Sequence, residues 1–332
     1  MKAAIYEKYG SPDVVEIRDV PRPQIAEDQV LVQVHASSIT TADWRFLASA
    51  FPGLLWLPGR LMAGLFRPKK PILGTEFAGR VVSVGSGVSA FKLGDDVFGF
   101  SGAFGAHAEY IAVDQAGSIT HMPDGFDHAE AAALPFGAVC ALVFLRDFAG
   151  VQKGNKVLIG GASGGVGVFA VQIAKALGAE VTAVASSRNT ELLRALGADR
   201  VIDYTRENAA DLGEIHDVVF DTAGTMRFAR AKKMLKPKGL FLPLEISISD
   251  SLIGMITNMF GGKRIAVHVN GDSKQDLETV AAMLRRGEIR PVIDGTYPLA
   301  DIANAYARVE TRHKTGSVII DIAGRARTRV AA

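Results

Sequence analysis

The sequence predicts an α/β protein in which a β-rich domain precedes a doubly wound parallel sheet with helices on both faces. Three observations support this prediction. The N-terminal part contains short β-branched runs bounded by turn residues, strands and helices alternate from Lys156 onward, and a glycine-rich segment occupies the first strand-to-helix turn of that alternation. Such alternation indicates parallel strands, because each helix returns the chain to the start of the next strand.

Composition and charge are those of an ordinary globular enzyme. The chain has 332 residues, of which 48% are hydrophobic and 22% charged, and this excludes disordered, collagen-like, coiled-coil and disulfide-stapled proteins. The net charge is +2, and the basic cluster Arg325, Arg327 and Arg329 is interpreted as a solvated terminus, so we expect no nucleic-acid partner. Cys140 is the single cysteine and no signal peptide follows Met1, so we expect a cytoplasmic protein.

The first domain is predicted from short strands. Residues 30–34 and 79–85 are β-branched runs, and glycine or proline recurs at intervals typical of a small barrel or sandwich. The apolar segment 51–66 is interrupted by prolines and an arginine and is shorter than a bilayer span. We interpret it as a buried or pocket-covering loop, with a membrane-docking segment or hydrophobic-substrate lid as the alternative. Residues 252–260 leave the same peripheral alternative open, although we expect no membrane association.

A change of pattern marks the second domain. Residues 128–147 are rich in alanine and leucine and predict a helix with a break at Pro135. Residues 157–160 predict an apolar strand, and after the glycine-rich turn a helix over 166–177 ends at Gly178. The other predicted elements are strands at 181–185, 201–202, 218–220, 240–242, 265–269 and 317–321, and helices at 190–196, 228–235 and 274–286.

The glycine-rich turn carries the strongest functional signal. It reads Gly-Gly-Ala-Ser-Gly-Gly-Val-Gly over residues 160–167 and contains the pattern Ala162-x-Gly164-x-x-Gly167 between a strand and a helix. Glycines let the backbone approach a pyrophosphate, and the N–H groups at the start of the helix point at it with the helix dipole behind them. We therefore predict a dinucleotide-binding site.

The end of the second strand selects between the two nicotinamide dinucleotides. An NAD site has an acidic residue there for the ribose 2′-OH. This chain instead has Ser186, Ser187 and Arg188, with no carboxylate before Glu191. Hydroxyls and a guanidinium suit a 2′-phosphate, because they donate neutral and charge-assisted hydrogen bonds to its oxygens. The predicted cofactor is NADPH.

Several segments together resemble the medium-chain dehydrogenase/reductase superfamily and, within it, the zinc-independent quinone oxidoreductase branch. They are Pro-Ile-Leu-Gly-Thr-Glu-Phe-Ala-Gly at 71–79, Gly-Asp-Asp-Val-Phe-Gly at 94–99, Ala-Ala-Ala-Leu-Pro at 131–135, the turn at 161–167, and Leu-Gly-Ala-Asp-x-Val-Ile-Asp-Tyr at 196–204. The resemblance implies a GroES-like β-rich catalytic domain over 1–126, a Rossmann NADP-binding domain over 127–270, and a return to the catalytic domain over 271–332. It also implies a homodimer.

Departures from the zinc-dependent relatives indicate the chemistry. Thr75 stands where those relatives have a histidine, the stretch 37–41 is Ser-Ser-Ile-Thr-Thr where they have a cysteine, and their four-cysteine loop is absent from the sequence. Because zinc sites of this kind need thiolate or imidazole ligands, we predict no metal site. The expected reaction is metal-free hydride transfer from NADPH to a quinone or an α,β-unsaturated carbonyl compound.

The resemblance also assigns site residues. The residues that would hold the pyrophosphate are Ser163, Gly164, Gly165, Val166 and Gly167. Tyr204 would lie beside the adenosine phosphate, and Thr40 and Cys140 stand where relatives often have an asparagine and a threonine near the nicotinamide. Thr40 and Thr41 are the predicted catalytic hydroxyls, because a hydrogen bond to the substrate carbonyl would stabilise an enolate. The alternative is that they bond the backbone at a strand end.

Other chemically capable side chains are interpreted as structural. These are His107, Glu76 and Cys140, the last as a buried, inert thiol. Large apolar side chains form a candidate substrate pocket, with ordinary packing as the alternative. The members of this candidate pocket are Trp44, Phe46, Leu57, Phe104 and Phe260.

Two other functions fit parts of the pattern. A short-chain dehydrogenase has its glycine motif near the start of the chain and a catalytic Tyr-x-x-x-Lys motif. Here the glycine motif lies in the middle of the chain and none of the six tyrosines has a lysine four residues later, which argues against this class. A non-enzymatic NADPH-binding protein, structural or redox-sensing, stays open because a fold does not determine a function.

Overall fold

The computed structural model describes residues 1–211, 216–245, 250, 253–254, 257, 262–268 and 273–324. The chain divides into two compact units. The first contains Met1–Phe136, Asp272–Arg285 and Pro291–Ala332, and the second contains Gly137–Gly271 and Arg286–Arg290. Phe260, most of residues 252–260, and the arginines at 325, 327 and 329 lie outside the described residues.

The described strands and helices follow the chain in this order. The strands are β1 (Lys2–Ile5), β2 (Glu16–Asp19), β3 (Gln29–Ile39), β4 (Glu76–Val84), β5 (Asp96–Phe100), β6 (Tyr110–Asp114), β7 (Ile119–His121), β8 (Lys156–Gly160), β9 (Glu180–Ala185), β10 (Arg200–Asp203), β11 (His216–Asp221), β12 (Leu235–Pro243), β13 (Arg264–Ile265), β14 (Ile293–Pro298) and β15 (Ser317–Asp321). The helices are α1 (Thr41–Ala48), α2 (Trp56–Ala63), α3 (His128–Ala132), α4 (Pro135–Val143), α5 (Gly167–Ala176), α6 (Thr190–Ala195), α7 (Phe228–Ala231), α8 (Lys274–Arg285) and α9 (Ile302–Glu310).

The observed division of the chain differs from the predicted one at two points. The first unit extends to Phe136 rather than to residue 126, because α3 packs on β3 and β4 of that unit. The predicted continuous return over 271–332 is interrupted at Arg286–Arg290, which belongs to the second unit. Gln172 of α5 holds this short segment, since its side chain accepts a hydrogen bond from the backbone N–H of Arg290 and donates one to the Arg290 carbonyl.

In the first unit, the described residues form a seven-stranded sheet in the order β14-β15-β3-β4-β5-β7, with β6 also paired to β3. The neighbours are antiparallel except β14 and β15. Along the first half of β3, Val30, Val32 and Val34 are buried while the residues between them are half-exposed, as the two-residue period of a strand requires. This agrees with the β-rich first domain that the sequence predicts.

In the second unit, the described residues form a parallel sheet in the order β10-β9-β8-β11-β12-β13. Val157, Leu158 and Ile159 of β8 are fully buried, as expected for a strand covered on both faces. The chain runs from β8 outward through β9 to β10 and then returns to β11 on the other side of β8. This reversal places a topological switch point between β8 and β11, where ligands of such sheets bind. The predicted doubly wound fold is confirmed.

Residues 51–66 differ from the buried or pocket-covering loop that the sequence predicts. They form a short 3-10 turn at Gly53–Leu55 followed by α2, and α2 exposes several large apolar side chains. Pro58 is the third residue of α2, a position where a missing N–H costs no intrahelical hydrogen bond, so this proline does not prevent the helix. Within the described ranges, no helix has the length and apolar character needed to cross a membrane.

Proline and strand pairing set the ends of two other predicted helices. The helix predicted over 128–147 is divided into α3, α4 and a π-helical turn at Phe144–Phe148, and Pro135 starts α4. The helix predicted over 228–235 already ends at Ala231, because Leu235 pairs with His216 of β11 as part of β12.

Candidate active site

The glycine-rich turn joins the end of β8 to the start of α5. Gly161 has a φ of +67°, which favours glycine, and a Cβ there would lie 2.6 Å from the Cβ of Ala223. A Cβ on Gly167 would lie 2.2 Å from the carbonyl oxygen of Gly161, which is less than any real contact of this kind. Steric constraints from the protein itself therefore account for these two glycines.

The outer part of the turn presents unbonded backbone donors. Ser163, Gly164 and Gly165 are half-exposed, and no side chain caps the N-terminus of α5. In the part of the chain that the structure describes, no acceptor takes the amide hydrogens of Gly165 and Val166. Because the start of a helix with free N–H groups attracts anions, this turn can hold a pyrophosphate.

The loop after β11 supports the glycine-rich turn. This support was not predicted from the sequence. The hydroxyl of Thr222 donates to the carbonyls of Gly160 and Gly161, at 2.8 Å and 3.1 Å. Asp221 is fully buried and accepts from the backbone N–H groups of Ala223 and Met226, while its burial raises its pKa. An Asp-Thr pair directly after a buried strand was the available signal, but its partners become visible only when β11 lies beside β8.

The predicted 2′-phosphate residues meet at the same edge of the sheet. In the parallel register, Ala185 at the end of β9 lies beside Asp203 at the end of β10, and the backbone N–H of Tyr204 donates to the Ala185 carbonyl. The residues brought together there, all at least half-exposed, are Ser186, Ser187, Arg188 and Tyr204. The structure therefore places all four beyond the carboxyl ends of neighbouring strands, as a nucleotide site requires.

One carboxylate at this edge was also missed. The Oδ1 of Asp203 accepts hydrogen bonds from the backbone N–H and the hydroxyl of Thr205. These bonds, with the nearby Ser187 hydroxyl, hold the pKa of Asp203 below its usual range. Arg206 lies 3.5 Å from it. The negative charge of Asp203 is thus engaged by its own neighbours, beside the position where Arg188 would meet a 2′-phosphate.

Cys140 lies within α4 of the second unit. It is 1% exposed, and burial raises the pKa of its thiol to about 12. The thiol is therefore protonated at neutral pH, in agreement with the interpretation of an inert side chain. Gly137, one helical turn earlier, packs so closely on the glycine-rich turn that a Cβ there would lie 2.6 Å from the Gly165 carbonyl oxygen. The contact of Cys140 with a nicotinamide stays a prediction.

In the first unit, Thr40 and Asp43 form a capping box at the start of α1. The Thr40 hydroxyl donates to the Asp43 carboxylate at 2.6 Å and accepts from the Asp43 backbone N–H at 3.1 Å. The same carboxylate accepts from the backbone N–H groups of Thr40 and Gly74. The hydroxyl proton of Thr40 is thus directed at Asp43, whereas Thr41 is half-exposed and makes no side-chain hydrogen bond to the described residues.

A buried carboxylate lies next to this box. Glu76 is 3% exposed and accepts hydrogen bonds from the Ser38 hydroxyl and from the backbone N–H of Phe136, the latter at 2.6 Å. The pKa of Glu76 is raised to about 7, mainly by burial and in small part by the negative charge of Asp43. The hydrogen bonds from Ser38 and Phe136 and the charge of Lys314 act in the opposite direction. The pKa of Lys314 is lowered to about 8 by burial. Groups that titrate near neutral pH are typical of functional sites and of buried ion networks alike.

His107 completes the set of buried polar side chains. Its Nε2 lies 3.0 Å from the Ser38 carbonyl oxygen, and its Nδ1 lies 3.2 Å from the Tyr306 hydroxyl. Burial holds the pKa of His107 below its usual range, so the neutral ring donates from Nε2 and accepts from the tyrosine at Nδ1. Both ring nitrogens therefore make hydrogen bonds, one to β3 and one to α9, which supports a structural role for His107. The "buried polar cluster" below comprises Ser38, Thr40, Asp43, Glu76, His107 and Tyr306.

The structure brings together part of the predicted apolar pocket. The rings of Phe46 and Phe104 lie 4.8 Å apart, and with Trp44 they pack on the buried core of the first unit. The indole N–H of Trp44 donates to Glu310 at 3.2 Å. Leu57 lies on α2 with 53% of its side chain exposed.

Metal-binding side chains are not grouped at this site. Among the residues that the structure describes, no three or more histidine, cysteine, aspartate or glutamate side chains are arranged to hold a metal ion. Thr40 and Thr75, whose hydroxyls are poor zinc ligands, are both buried in the first unit.

Comparison with known proteins matches both units. Residues 26–124 match the alcohol dehydrogenase GroES-like domain, and residues 196–320 match a family described as zinc-binding dehydrogenase. A chloroplastic NADPH-dependent alkenal/one oxidoreductase of Arabidopsis thaliana is 34% identical over 335 residues, covering 96% of this chain and 79% of that protein. A quinone oxidoreductase of Pseudomonas aeruginosa is 30% identical, covering 95% of this chain and 98% of that protein. The solved structure of the quinone oxidoreductase from Coxiella burnetii superposes with a TM-score of 0.85 at 28% identity, covering 97% of this chain and 99% of that one.

The two units and the nucleotide-type turn thus define an oxidoreductase with a GroES-like and a Rossmann domain. The chain belongs to the medium-chain dehydrogenase/reductase superfamily, in the branch of the quinone and alkenal/one oxidoreductases.

Proposed function

We propose that the protein is an NADPH-dependent oxidoreductase that transfers hydride, without a metal ion, to quinones or α,β-unsaturated carbonyl compounds. One observation carries the cofactor assignment. No described residue accepts from the backbone amides of Gly165 and Val166, and these amides lie at the edge of the sheet where Ser186, Ser187 and Arg188 also lie. The substrate assignment is supported by the names of two relatives that match nearly the whole chain, an alkenal/one oxidoreductase and a quinone oxidoreductase.

The residues present fit both phosphate-containing parts of NADPH, the pyrophosphate and the 2′-phosphate. Backbone N–H groups at the start of α5 would hold the pyrophosphate, and the serine hydroxyls with the guanidinium of Arg188 would hold the 2′-phosphate. When bound, NADPH supplies the hydride. The contribution of the protein is then to fix the nicotinamide ring and to exclude water from the acceptor.

Hydroxyl groups of the first unit would bind the acceptor carbonyl. Because the Thr40 proton is directed at Asp43, Thr41 is the better placed of the two predicted hydroxyls to donate a hydrogen bond to a carbonyl oxygen. Such a bond stabilises the negative charge that develops on an enolate, which a zinc ion would otherwise do. A homodimer in the cytoplasm is part of the same proposal and rests on the family resemblance.

Steady-state assays test the proposal directly. We expect oxidation of NADPH with naphthoquinones and short enones, unchanged by metal chelators, and a clear preference for NADPH over NADH. Binding of NADPH without oxidation by any acceptor of either class would instead support the non-enzymatic alternative.

Arg188 provides a sharper test of the cofactor. Removing one charge-assisted hydrogen bond, by Arg188→Gln, is expected to weaken NADPH binding roughly tenfold or more and to leave NADH binding unchanged. Arg194→Gln is the matched control, because Arg194 is an exposed arginine on the neighbouring helix α6. Equal effects of the two substitutions on NADPH would contradict the assignment of the 2′-phosphate site.

A further inference from the structure

The segment around α2 exposes a concentrated apolar surface. Phe66 is 89% exposed and Met62 63%, which is far more than a buried or pocket-covering loop would show. The six side chains that form this "apolar platform" are Trp56, Leu57, Leu61, Met62, Leu65 and Phe66. Among the described residues, the other exposed large hydrophobic side chains are Val82, Leu93 and Tyr204, which lie apart in the sequence. An apolar patch of this kind indicates a surface that binds something.

The backbone beneath the platform is held firmly to the first unit. The guanidinium of Arg60 lies 3.5 Å from the ring centroid of Tyr9, and its Nε donates to the Leu65 carbonyl at 3.0 Å. The Tyr9 hydroxyl donates to the Gly64 carbonyl at 2.6 Å. Gly59 packs on the ring of Phe51 so closely that a Cβ would lie 2.5 Å from it. The exposed apolar side chains therefore belong to a segment whose backbone is anchored by these contacts.

The sequence around the platform carries only positive charges. No acidic residue occurs between Asp43 and Glu76 in the sequence, whereas this interval contains five basic ones. Three of them follow the platform directly and are exposed: Arg67, Lys69 and Lys70. Lys69 also donates to the Leu61 carbonyl at 2.8 Å, which keeps it at the end of α2.

This combination favours one kind of partner. A second copy of the chain would bring the same positive charges against the first and be repelled. A nucleic acid would satisfy the charges but would leave the apolar side chains in water. An anionic lipid surface satisfies both, because its phosphates attract lysine and arginine while tryptophan, leucine and phenylalanine enter the boundary between headgroups and acyl chains.

We propose that the apolar platform docks the protein reversibly on anionic membrane surfaces. Trp56, Met62 and Phe66 enter the interface, and Arg67, Lys69 and Lys70 lie at the level of the lipid phosphates. This revises the expectation of no membrane association and is independent of the proposed reaction, because it requires neither cofactor nor substrate.

Vesicle flotation tests the docking. Wild-type protein is expected to float with vesicles of phosphatidylcholine containing one-third phosphatidylglycerol and to remain unbound with phosphatidylcholine alone. The variant R67Q/K69Q/K70Q is expected to lose roughly a hundredfold in partitioning, and Phe66→Ser roughly tenfold. Brominated lipids in the anionic vesicles are expected to quench the fluorescence of Trp56.

Matched controls separate docking from general charge or hydrophobicity. Leu93→Ser removes a side chain that is 63% exposed outside the platform, and K232Q/K233Q/K238Q removes three exposed lysines of the second unit. Neither is expected to change partitioning by more than about twofold. Because Lys69 also caps α2, circular dichroism is measured for each variant, and Phe66→Ser carries the test if the triple variant is unfolded.

Three outcomes would overturn the proposal. One is absence of wild-type binding to the anionic vesicles. Another is an equal loss of binding in the control variants. The third is conversion of a wild-type dimer to a monomer by Phe66→Ser in sedimentation velocity, without any effect on vesicle binding, which would show that a second copy covers the platform.

Discussion

The glycine-rich turn of the second unit and the buried polar cluster of the first unit are built in different ways. In the second unit, the turn at residues 161–167 presents mainly backbone groups, because four of its seven residues are glycines. In the first unit, the buried polar cluster consists of side chains that hydrogen-bond to one another and to nearby backbone groups of β3, β4, α1 and α9. The turn joins residues that are adjacent in sequence, whereas the cluster joins residues as far apart as His107 and Tyr306.

This difference determines how the turn and the cluster respond to substitutions and to pH. In the turn, neighbouring atoms lie so close to Gly161 and Gly167 that an added methyl group at either position would be highly disruptive. A cluster made of side chains depends on its hydrogen bonds and on its protonation state, so loss of a hydroxyl or a change of pH is the more informative perturbation.

The largest effect is expected at Gly167. In Gly167→Ala the new methyl group would lie 2.2 Å from the carbonyl oxygen of Gly161, so α5 must move away from the turn. We expect a loss of about 2–4 kcal/mol in the free energy of unfolding and at least roughly a hundredfold weaker NADPH binding. Denaturant unfolding and fluorescence titration with NADPH measure the two effects.

Gly262→Ala is the control for this substitution. A Cβ at Gly262 would have no atom of the described residues within 4 Å, and the backbone φ of Gly262 lies outside the left-handed region. Its unfolding free energy and NADPH affinity are expected to match those of the wild type. If Gly167→Ala behaved like this control, the turn would be more adaptable than its geometry indicates.

The same contrast explains what the sequence could predict. The turn, the alternation around it and the serine-arginine end of β9 are local patterns, and the structure contains all of them where they were predicted. The support of the turn by Thr222 and the engagement of Asp203 by Ser187 depend on which strands become neighbours, so they leave no local signal. Residues 51–66 are not the buried loop that was predicted, because apolar composition alone does not distinguish core packing from exposure on a surface helix; the alternative of a docking segment or lid stays open.

A pH-dependent effect is expected at Glu76. Burial raises the pKa of Glu76 to about 7, whereas an unfolded glutamate has a pKa of about 4.3, so the folded protein holds this proton more tightly. The stabilisation is complete below about pH 4 and is lost as the pH rises towards about 7. Glu76→Gln removes this dependence. Relative to wild type, the variant should gain up to roughly 3 kcal/mol in unfolding free energy between about pH 5 and pH 8.

Denaturant unfolding of both proteins across this pH range checks the expectation. Glu191→Gln makes the same charge change on the exposed surface of α6, and its pH profile is expected to parallel that of the wild type. A constant difference between Glu76→Gln and wild type from pH 5 to pH 8 would mean that Glu76 stays ionised in the folded state, held by Ser38 and the backbone N–H of Phe136.

The smallest but most discriminating effect concerns the two threonines. Thr40→Val removes the hydroxyl that donates to Asp43 and caps α1, and we expect a loss of about 1–2 kcal/mol in unfolding free energy. Thr41→Val removes a half-exposed hydroxyl without such partners, so stability should change by less than about 0.5 kcal/mol. If Thr41 donates to the substrate carbonyl, kcat/KM for an enone should fall roughly a hundredfold in this variant.

Thr40→Ser and Thr41→Ser keep the hydroxyls and provide the controls, since each should restore the property that its valine counterpart loses. Unfolding free energies and kcat/KM values for all four variants separate capping from catalysis. A stable Thr40→Val protein with greatly reduced kcat/KM would reverse the assignment, because the Thr40 hydroxyl would then act on the substrate and the capping of α1 would rest on the backbone bonds that Asp43 accepts from Thr40 and Gly74.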